Sequence, residues 1–288
     1  MKRFLGKKMA GILSALLLMG IYGHAEAKDY LNTHWMDDPD VEESDTSNQF
    51  YIDSSDPSYE GADEDQGNVG IWVKNHGVVS ITATEGDNTA TSRDSNVGTE
   101  AWWGVSVSNT ATLNLTATKG SNHIIGLGEN DYGVGVYEGS HLNMTAGTDN
   151  KIQGAAYAVW GNSTANDFSL NYPITINIKS TGGNNEITSI STSDTLGAHG
   201  IQAVYKVTVD VTADAGNNII SASAADGLRT YGIYAYSSDA SVNLTAAEGS
   251  NTVSSSHRGG YSAYSSINLT DGKDNTVEAT SPGSNVAL

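Results

Sequence analysis

One sequence pattern recurs seven times along this chain, and that repetition limits the fold more than any other feature. A clear copy is SVNLTAAEGSNTV, residues 241–253. Each copy reads apolar, polar, apolar, usually Thr, then a turn with Gly, then Asn. These Asn residues lie 24 to 35 residues apart, a period typical of solenoids and propellers. Their positions are Asn88, Asn122, Asn150, Asn185, Asn218, Asn251 and Asn275.

Apolar and polar residues alternate within each copy, as Val242 and Leu244 do around Asn243. Period two with β-branched residues and Thr predicts strands, and no stretch after residue 27 shows a sustained helical period. A second short strand precedes each copy, as in VGIWV from Val69 and YGIYA from Tyr231. Its second residue is always Gly, Ala or Ser. We therefore predict an all-β chain.

Each repeat offers about three short strands and too few apolar residues to form a core alone. A propeller blade would need four antiparallel strands joined by hairpins, so stacked coils fit better. In a parallel β-helix, like residues of successive coils lie about 4.8 Å apart and form ladders, with apolar residues inside and Asn or Thr at corners. We predict a right-handed parallel β-helix of about seven coils, because parallel crossovers are almost always right-handed. The Asn of NLT, such as Asn243, should face outward.

Three regions are predicted along the chain. Residues 1–27 have the basic start, the apolar run and the small residues of a secretory signal peptide, with cleavage after Ala27. Residues 28–67 form an acidic leader, which we interpret as a flexible segment or as an N-terminal cap over the first coil. Residues 68–288 hold the β-helix repeats.

The chain is strongly acidic, with 33 Asp and Glu against 14 Lys and Arg and a net charge of −19. Such a charge repels nucleic acid and anionic lipid, so neither is an expected partner. There is no Cys, although an exported chain could form disulfides. Stability is therefore expected from the repetitive core.

Several of these features together resemble the passenger region of bacterial type V autotransporters. They are the signal peptide, the absence of Cys, the body rich in Ser, Thr, Asn and Gly, the GxN turns, and the YGI and VNLTA strands. The resemblance covers residues 69–277. It implies export to the cell surface through a C-terminal β-barrel, often for adhesion or aggregation.

Nothing in this sequence looks like that barrel, which needs many alternating membrane strands. We therefore expect a passenger truncated before its barrel. The full-length form is expected at the cell surface or outer membrane, and the 288-residue chain in the periplasm.

The alternative function is a secreted β-helix lyase or hydrolase that acts on polysaccharide. Hydrolases of this kind need paired carboxylates, and the adjacent acids Asp37 and Asp38 precede the first coil. Lyases need basic residues that neutralise an acidic sugar, yet Arg93, Arg229 and Arg258 fall in different coils and near corners. We therefore expect no catalysis.

Histidines occur singly at corners or strand edges, at His76, His123, His199 and His257. This distribution is typical of solvated or capping histidines rather than of metal ligands, which converge at defined spacings. We expect no metal ion and no other cofactor.

The candidate binding surface is the fourth position of the short strand that precedes each repeat. If the third residue points inward, the fourth points outward. This column is Trp72, Ser106, Gly135, Trp160, Gln202, Tyr234 and Tyr264. Its aromatic members, Trp72, Trp160, Tyr234 and Tyr264, can stack on sugar rings or contact apolar groups of a partner. The alternative is that they only cover the ladder.

The insert at residues 160–173 is the best loop candidate for the same role. We predict non-catalytic binding to a glycan or protein on a host cell or a neighbouring cell.

Overall fold

A computed structural model describes residues 27–31, 34–35, 41–53, 69–93, 103–128, 130–163, 172–193, 195–225, 227–237 and 239–280. Within these ranges the chain consists of strands, turns and bends, without helix. The predicted signal peptide up to residue 26, Asp37, Asp38 and residues 164–171 of the insert lie outside the described residues. In the described ranges, no helix has the length and hydropathy needed to cross a bilayer.

Twenty-five strands lie in the described residues. The first four are β1 (Ala27–Leu31), β2 (His34–Trp35), β3 (Val41–Asp45) and β4 (Ser47–Asp53). Coils 1 to 3 are formed by β5 (Val69–Val73), β6 (Val78–Ala83), β7 (Asn88–Arg93), β8 (Trp103–Val107), β9 (Thr112–Ala117), β10 (Asn122–Gly126), β11 (Tyr132–Tyr137), β12 (His141–Ala146) and β13 (Asn150–Gly154).

Four further coils follow in the same order. Coils 4 and 5 contain β14 (Tyr157–Asn162), β15 (Ile174–Ser180), β16 (Asn185–Ile190), β17 (Ala198–Val204), β18 (Val207–Ala213) and β19 (Asn218–Ser223). Coils 6 and 7 contain β20 (Thr230–Tyr236), β21 (Ser241–Ala246), β22 (Asn251–Ser255), β23 (Arg258–Ala263), β24 (Ser266–Asp271) and β25 (Asn275–Ala279).

Like strands of successive coils pair in parallel and build three sheets. Sheet 1 has nine strands in the order β1-β4-β7-β10-β13-β16-β19-β22-β25. Sheet 2 runs β2-β5-β8-β11-β14-β17-β20-β23, and sheet 3 runs β3-β6-β9-β12-β15-β18-β21-β24. The predicted all-β parallel β-helix of about seven coils is confirmed, and its right-handed coiling stays a prediction.

The three sheets continue into the acidic leader. There β3 pairs with β6, β4 with β7 and β2 with β5, so strands of the leader stack in register beneath coil 1. Phe50 of β4 is fully buried. This finding adds strands to a region for which the sequence indicated only a flexible segment or a cap. The proposed division into three regions stays a prediction.

The apolar pairs of sheet 3 point into the interior, as predicted. From Val79 and Ile81 in β6 to Val242 and Leu244 in β21 they are buried, whereas Ile267 and Leu269 in β24 are partly buried. Isoleucines of sheets 1 and 2 complete the same core. Each fully buried side chain of this kind stabilises the fold by about 1.5–3 kcal/mol.

A ladder of Asn side chains, buried except at Asn275, runs along sheet 1 from β4 to β25. Each Nδ2 donates to Oδ1 of the Asn in the next coil, over distances of 2.8 to 2.9 Å. The ladder comprises Asn48, Asn88, Asn122, Asn150, Asn185, Asn218, Asn251 and Asn275. Nδ2 of Asn122 also donates to the carbonyl oxygen of Thr145 at 2.9 Å. This amide therefore meets the requirement that buried polar groups be paired.

The Asn of NLT forms a second ladder on the half-buried outer face of sheet 3, as predicted. Asn143 donates to Oδ1 of Asn114 at 2.9 Å, and Asn177 donates to Oδ1 of Asn143 at 2.8 Å. Asp210 then accepts from Asn243 at 2.7 Å. Because an ionised carboxylate has no proton to donate, the ladder is interrupted between Asp210 and Asn177.

Candidate functional site

Each sheet 2 strand of coils 1 to 7 has a small residue where successive coils approach closely. These residues are Gly70, Gly104, Gly133, Ala158, Gly200, Gly232 and Gly259. A Cβ on Gly133 would lie 2.6 Å from the carbonyl oxygen of Ala158 and 2.8 Å from Cγ2 of Ile152. The residue pairing along sheet 2 skips this position. As a result Tyr132, before Gly133, reaches the outer face, whereas Val134 after it is fully buried.

The outer face of sheet 2 therefore carries two columns of side chains, of which the sequence predicted only the fourth-position column. The first-position column contains Trp103, Tyr132, Tyr157, His199 and Tyr231, with successive ring centroids 4.0, 5.1, 4.9 and 5.0 Å apart. Its signal was visible as the aromatic residue or His that directly precedes the small residue in these five strands. We name the two columns together the aromatic face.

Trp160 lies inside a cluster of rings rather than apart from them. Its ring stacks 5.6 Å from that of Trp103 and 5.4 Å from that of Tyr157, and meets Tyr137 edge-on at 5.1 Å. Nε1 of Trp160 and the hydroxyl of Tyr137 are buried and have no hydrogen-bond partner in the described part of the chain. Other rings of the protein therefore occupy the faces of this indole.

The other predicted aromatic residues fall in different surroundings. Trp72 is half-buried, and Nζ of Lys74 lies 4.1 Å from its ring centroid. Tyr234 is half-buried and stacks on Tyr261, with centroids 5.2 Å apart and planes 10° from parallel.

The predicted position of Tyr264 in the column is wrong. Tyr234 pairs with Tyr261, and β23 ends at Ala263, so Tyr264 lies beyond the strand, 83% exposed and with φ of 58°. The sequence YSAYS matched the pattern three residues too late. The close-packed second position is taken by Gly259, where a Cβ would lie 2.6 Å from Cγ1 of Val277.

A groove of about 460 Å³ opens on the aromatic face over coils 4 to 7. It is lined by Tyr157, His199, Gln202, Arg229, Tyr231, Tyr234, Arg258 and Tyr261. Gln202 pairs with Trp160 on one side and Tyr234 on the other. Because it stands where both neighbours have a ring, its smaller side chain leaves room in the column.

Two arginines line this groove, although the sequence suggested that they were scattered among corners. Arg229 immediately precedes β20, and Arg258 opens β23. The guanidinium carbon of Arg258 lies 5.8 Å from the ring centroids of both Tyr231 and Tyr261. Within the described residues neither arginine has a carboxylate partner. The groove thus presents two positive charges and no lining carboxylate.

His199 corrects the expectation of solvated or capping histidines. Its ring lies between those of Tyr157 and Tyr231, and burial lowers its pKa to about 4. The imidazole is therefore neutral near pH 7. Its Nδ1 and Oε1 of Gln202 have no hydrogen-bond partner among the described residues.

Three phenols of the aromatic face, those of Tyr132, Tyr157 and Tyr234, remain protonated across the physiological range. Burial raises the pKa of Tyr132 to about 12 and also raises the pKa of Tyr157 and of Tyr234. Each phenol keeps a proton to donate. The described residues include no cluster of three or more His, Asp or Glu side chains that could hold a metal ion.

Comparison with protein families, with curated proteins and with solved structures finds no match to this chain. Its functional chemistry is therefore inferred from the residues of the groove.

Proposed function

We propose that this chain is the exported passenger of an autotransporter-like protein and that it binds a cell-surface ligand on sheet 2 without catalysis. The observation that carries the proposal is the groove over coils 4 to 7. Its volume of about 460 Å³ falls within the range of small-molecule sites, roughly 300–1,000 Å³.

The solenoid supports this proposal because it holds the groove on a stiff scaffold. Strands on both sides pair with β14, β17 and β20, β23 pairs with β20, and the Asn ladder joins coils 4 to 7. Side chains that are already ordered lose little conformational freedom when a ligand binds. A surface of this kind suits the capture of a ligand by a protein displayed outside the cell.

A polysaccharide lyase is the second candidate, favoured by the presence of Arg229 and Arg258 in one groove. Two guanidinium groups can neutralise a sugar carboxylate, as a lyase must before it removes the adjacent proton. The neutral base among the residues that line the groove is His199, but its Nδ1 is buried within the aromatic face. Binding requires no such base, so it is the first candidate.

Adhesion of coated beads tests the proposed function. Beads that carry the purified exported chain should attach to epithelial or bacterial cells. The double variant Tyr234→Ala with Tyr261→Ala should reduce attachment at least tenfold, because both rings line the groove. Tyr264→Ala is the matched control, since it removes an exposed Tyr from outside the groove.

Equal attachment by the two variants and the original chain would overturn the proposal. Incubation with uronate polymers separates the second candidate, because a lyase would release unsaturated products that absorb ultraviolet light. Export is tested by joining residues 1–27 to alkaline phosphatase, which becomes active only outside the cytoplasm. An inactive fusion would contradict the signal peptide.

A further inference from the structure

We infer that the groove binds an acidic oligosaccharide and that Arg229 and Arg258 hold its carboxylate groups. This inference rests on the proposed binding function of sheet 2 and specifies its ligand. It concerns the charge of the ligand, which the autotransporter resemblance does not indicate.

The distribution of charge favours an anion in this groove. The chain has 33 acidic residues against 14 Lys and Arg. Several lysines are paired with acids, as Lys119 is with Glu85 at 2.7 Å and Lys179 with Asp214 at 2.9 Å. In the described part of the chain Arg229 and Arg258 have no such partner, yet they line the same groove. Two unneutralised guanidinium groups on an acidic protein make a local site for an anion.

The placement of the two arginines also favours an acidic ligand. Arg258 pairs with Tyr231 in the sheet 2 register, and Arg229 lies two residues before Tyr231. They are therefore one coil apart, about 4.8 Å along the stack, and offset by two residues, about 6.6 Å, along the strand direction. Guanidinium groups bind carboxylates through two parallel hydrogen bonds. The pair can hold one carboxylate from two sides or two carboxylates of neighbouring sugars.

The other groups that line the groove match sugar hydroxyls. The hydroxyls of Tyr234 and Tyr261, two of the residues that line the groove, offer donors and acceptors. A sugar ring carries many hydroxyls, so each of these groups can gain a hydrogen bond on binding. The ring edges supply apolar contact beside them.

An acidic peptide fits this groove less well. Extended peptides are commonly bound by adding a strand to a free sheet edge. The groove instead lies on the face of sheet 2, where β14, β17 and β20 each pair with a strand on both sides. In the described residues β23 pairs with β20 alone, but the outer faces of all four strands offer side chains. This face therefore favours a ligand bound through hydroxyls and carboxylates.

The test uses ligand pairs that differ only in charge. Oligosaccharides of galacturonate, glucuronate or sialate, and the neutral methyl ester of each, are titrated into the exported chain by calorimetry. At least one acid should bind tenfold or more tightly than its ester. The variant Arg229→Gln with Arg258→Gln should lose this preference and also the salt dependence of binding. Arg93→Gln in sheet 1 is the matched control and should keep both.

Folding is checked by the melting curve, and Arg229→Gln alone suffices if the double variant is unstable, because Arg229 is exposed. Equal binding of acids and esters would overturn the inference. So would tighter binding of polyglutamate than of any sugar, or absence of sugar binding by a chain that still attaches to cells through Tyr234 and Tyr261. In the last case the proposed function stands and only the acidic-oligosaccharide inference fails. If the original chain does not attach to cells at all, both the proposed function and this inference fail.

Discussion

The indole rings of Trp103 and Trp160 lie 5.6 Å apart with planes 15° from parallel, although a whole coil separates their strands β8 and β14. Gly135 of the intervening β11 makes this contact possible, because a Cβ there would lie 2.5 Å from Cζ3 of Trp103. The aromatic face is therefore a packed layer of rings. A ligand meets ring edges and hydroxyls more than open ring faces.

We expect Trp160→Ala to lower stability rather than to remove only a binding contact. The change deletes stacking on Trp103 and Tyr157 and the edge contact with Tyr137. A loss of about 2–4 kcal/mol in the free energy of unfolding is expected, since this half-buried indole is truncated. Urea denaturation of Trp160→Ala beside Tyr264→Ala measures it. Unchanged stability with lost attachment would instead make Trp160 a ligand contact.

A single buried Asn of the sheet 1 ladder should contribute strongly to the free energy of unfolding. Asn150→Ala leaves Nδ2 of Asn122 without its acceptor and Oδ1 of Asn185 without its donor, both in buried surroundings. The expected loss is about 2–4 kcal/mol, since each unpaired buried group costs about 1–3 kcal/mol. The matched control is Asn143→Ala in the half-buried sheet 3 ladder, which should cost about 1 kcal/mol. Equal denaturation midpoints for the two variants would contradict this expectation.

Acid should destabilise the fold partly through His199. Burial lowers the pKa of this imidazole from 6.5 to about 4, so between these values the unfolded state binds the extra proton. Stability is complete above pH 6.5 and falls as the pH approaches 4, by at most about 3 kcal/mol. His199→Phe keeps a ring between Tyr157 and Tyr231 without this titration. Its unfolding free energy should fall less over that range, and an identical pH dependence in both proteins would refute the assignment.

The register of coil 7 can be tested by a pair of substitutions. Gly259→Val introduces a side chain where Cγ1 of Val277 would lie 2.6 Å from the new Cβ, so a loss of about 1–3 kcal/mol is expected. Ser262→Val places the same side chain at an exposed position and should change stability little. Thermal melting of both variants decides between the two registers. If Ser262→Val were the damaging change, YSAYS would align with the earlier coils.

Much of the fold could be predicted from the repeat itself. Alternation around Asn243 specified a strand with Val242 and Leu244 inward, and recurrence of that pattern specified parallel stacking. The Asn ladder follows from the same logic, because identical amides brought into register can satisfy one another. These are local properties of each repeat, and their recurrence specifies the fold even where a single copy departs from the pattern.

The groove was decided by tertiary structure. No sequence motif contains both Arg229 and Arg258. They lie together only because β20 and β23 pair with Arg258 opposite Tyr231. That register depends on which residue is small enough for the close approach of coil 7, and Gly259 meets this condition where the sequence pattern pointed to Ser262. The turns between coils vary in length, so spacing along the chain cannot specify which side chains become neighbours across coils. The repeat alone thus determined the solenoid, whereas packing between coils determined which charges and rings share its groove.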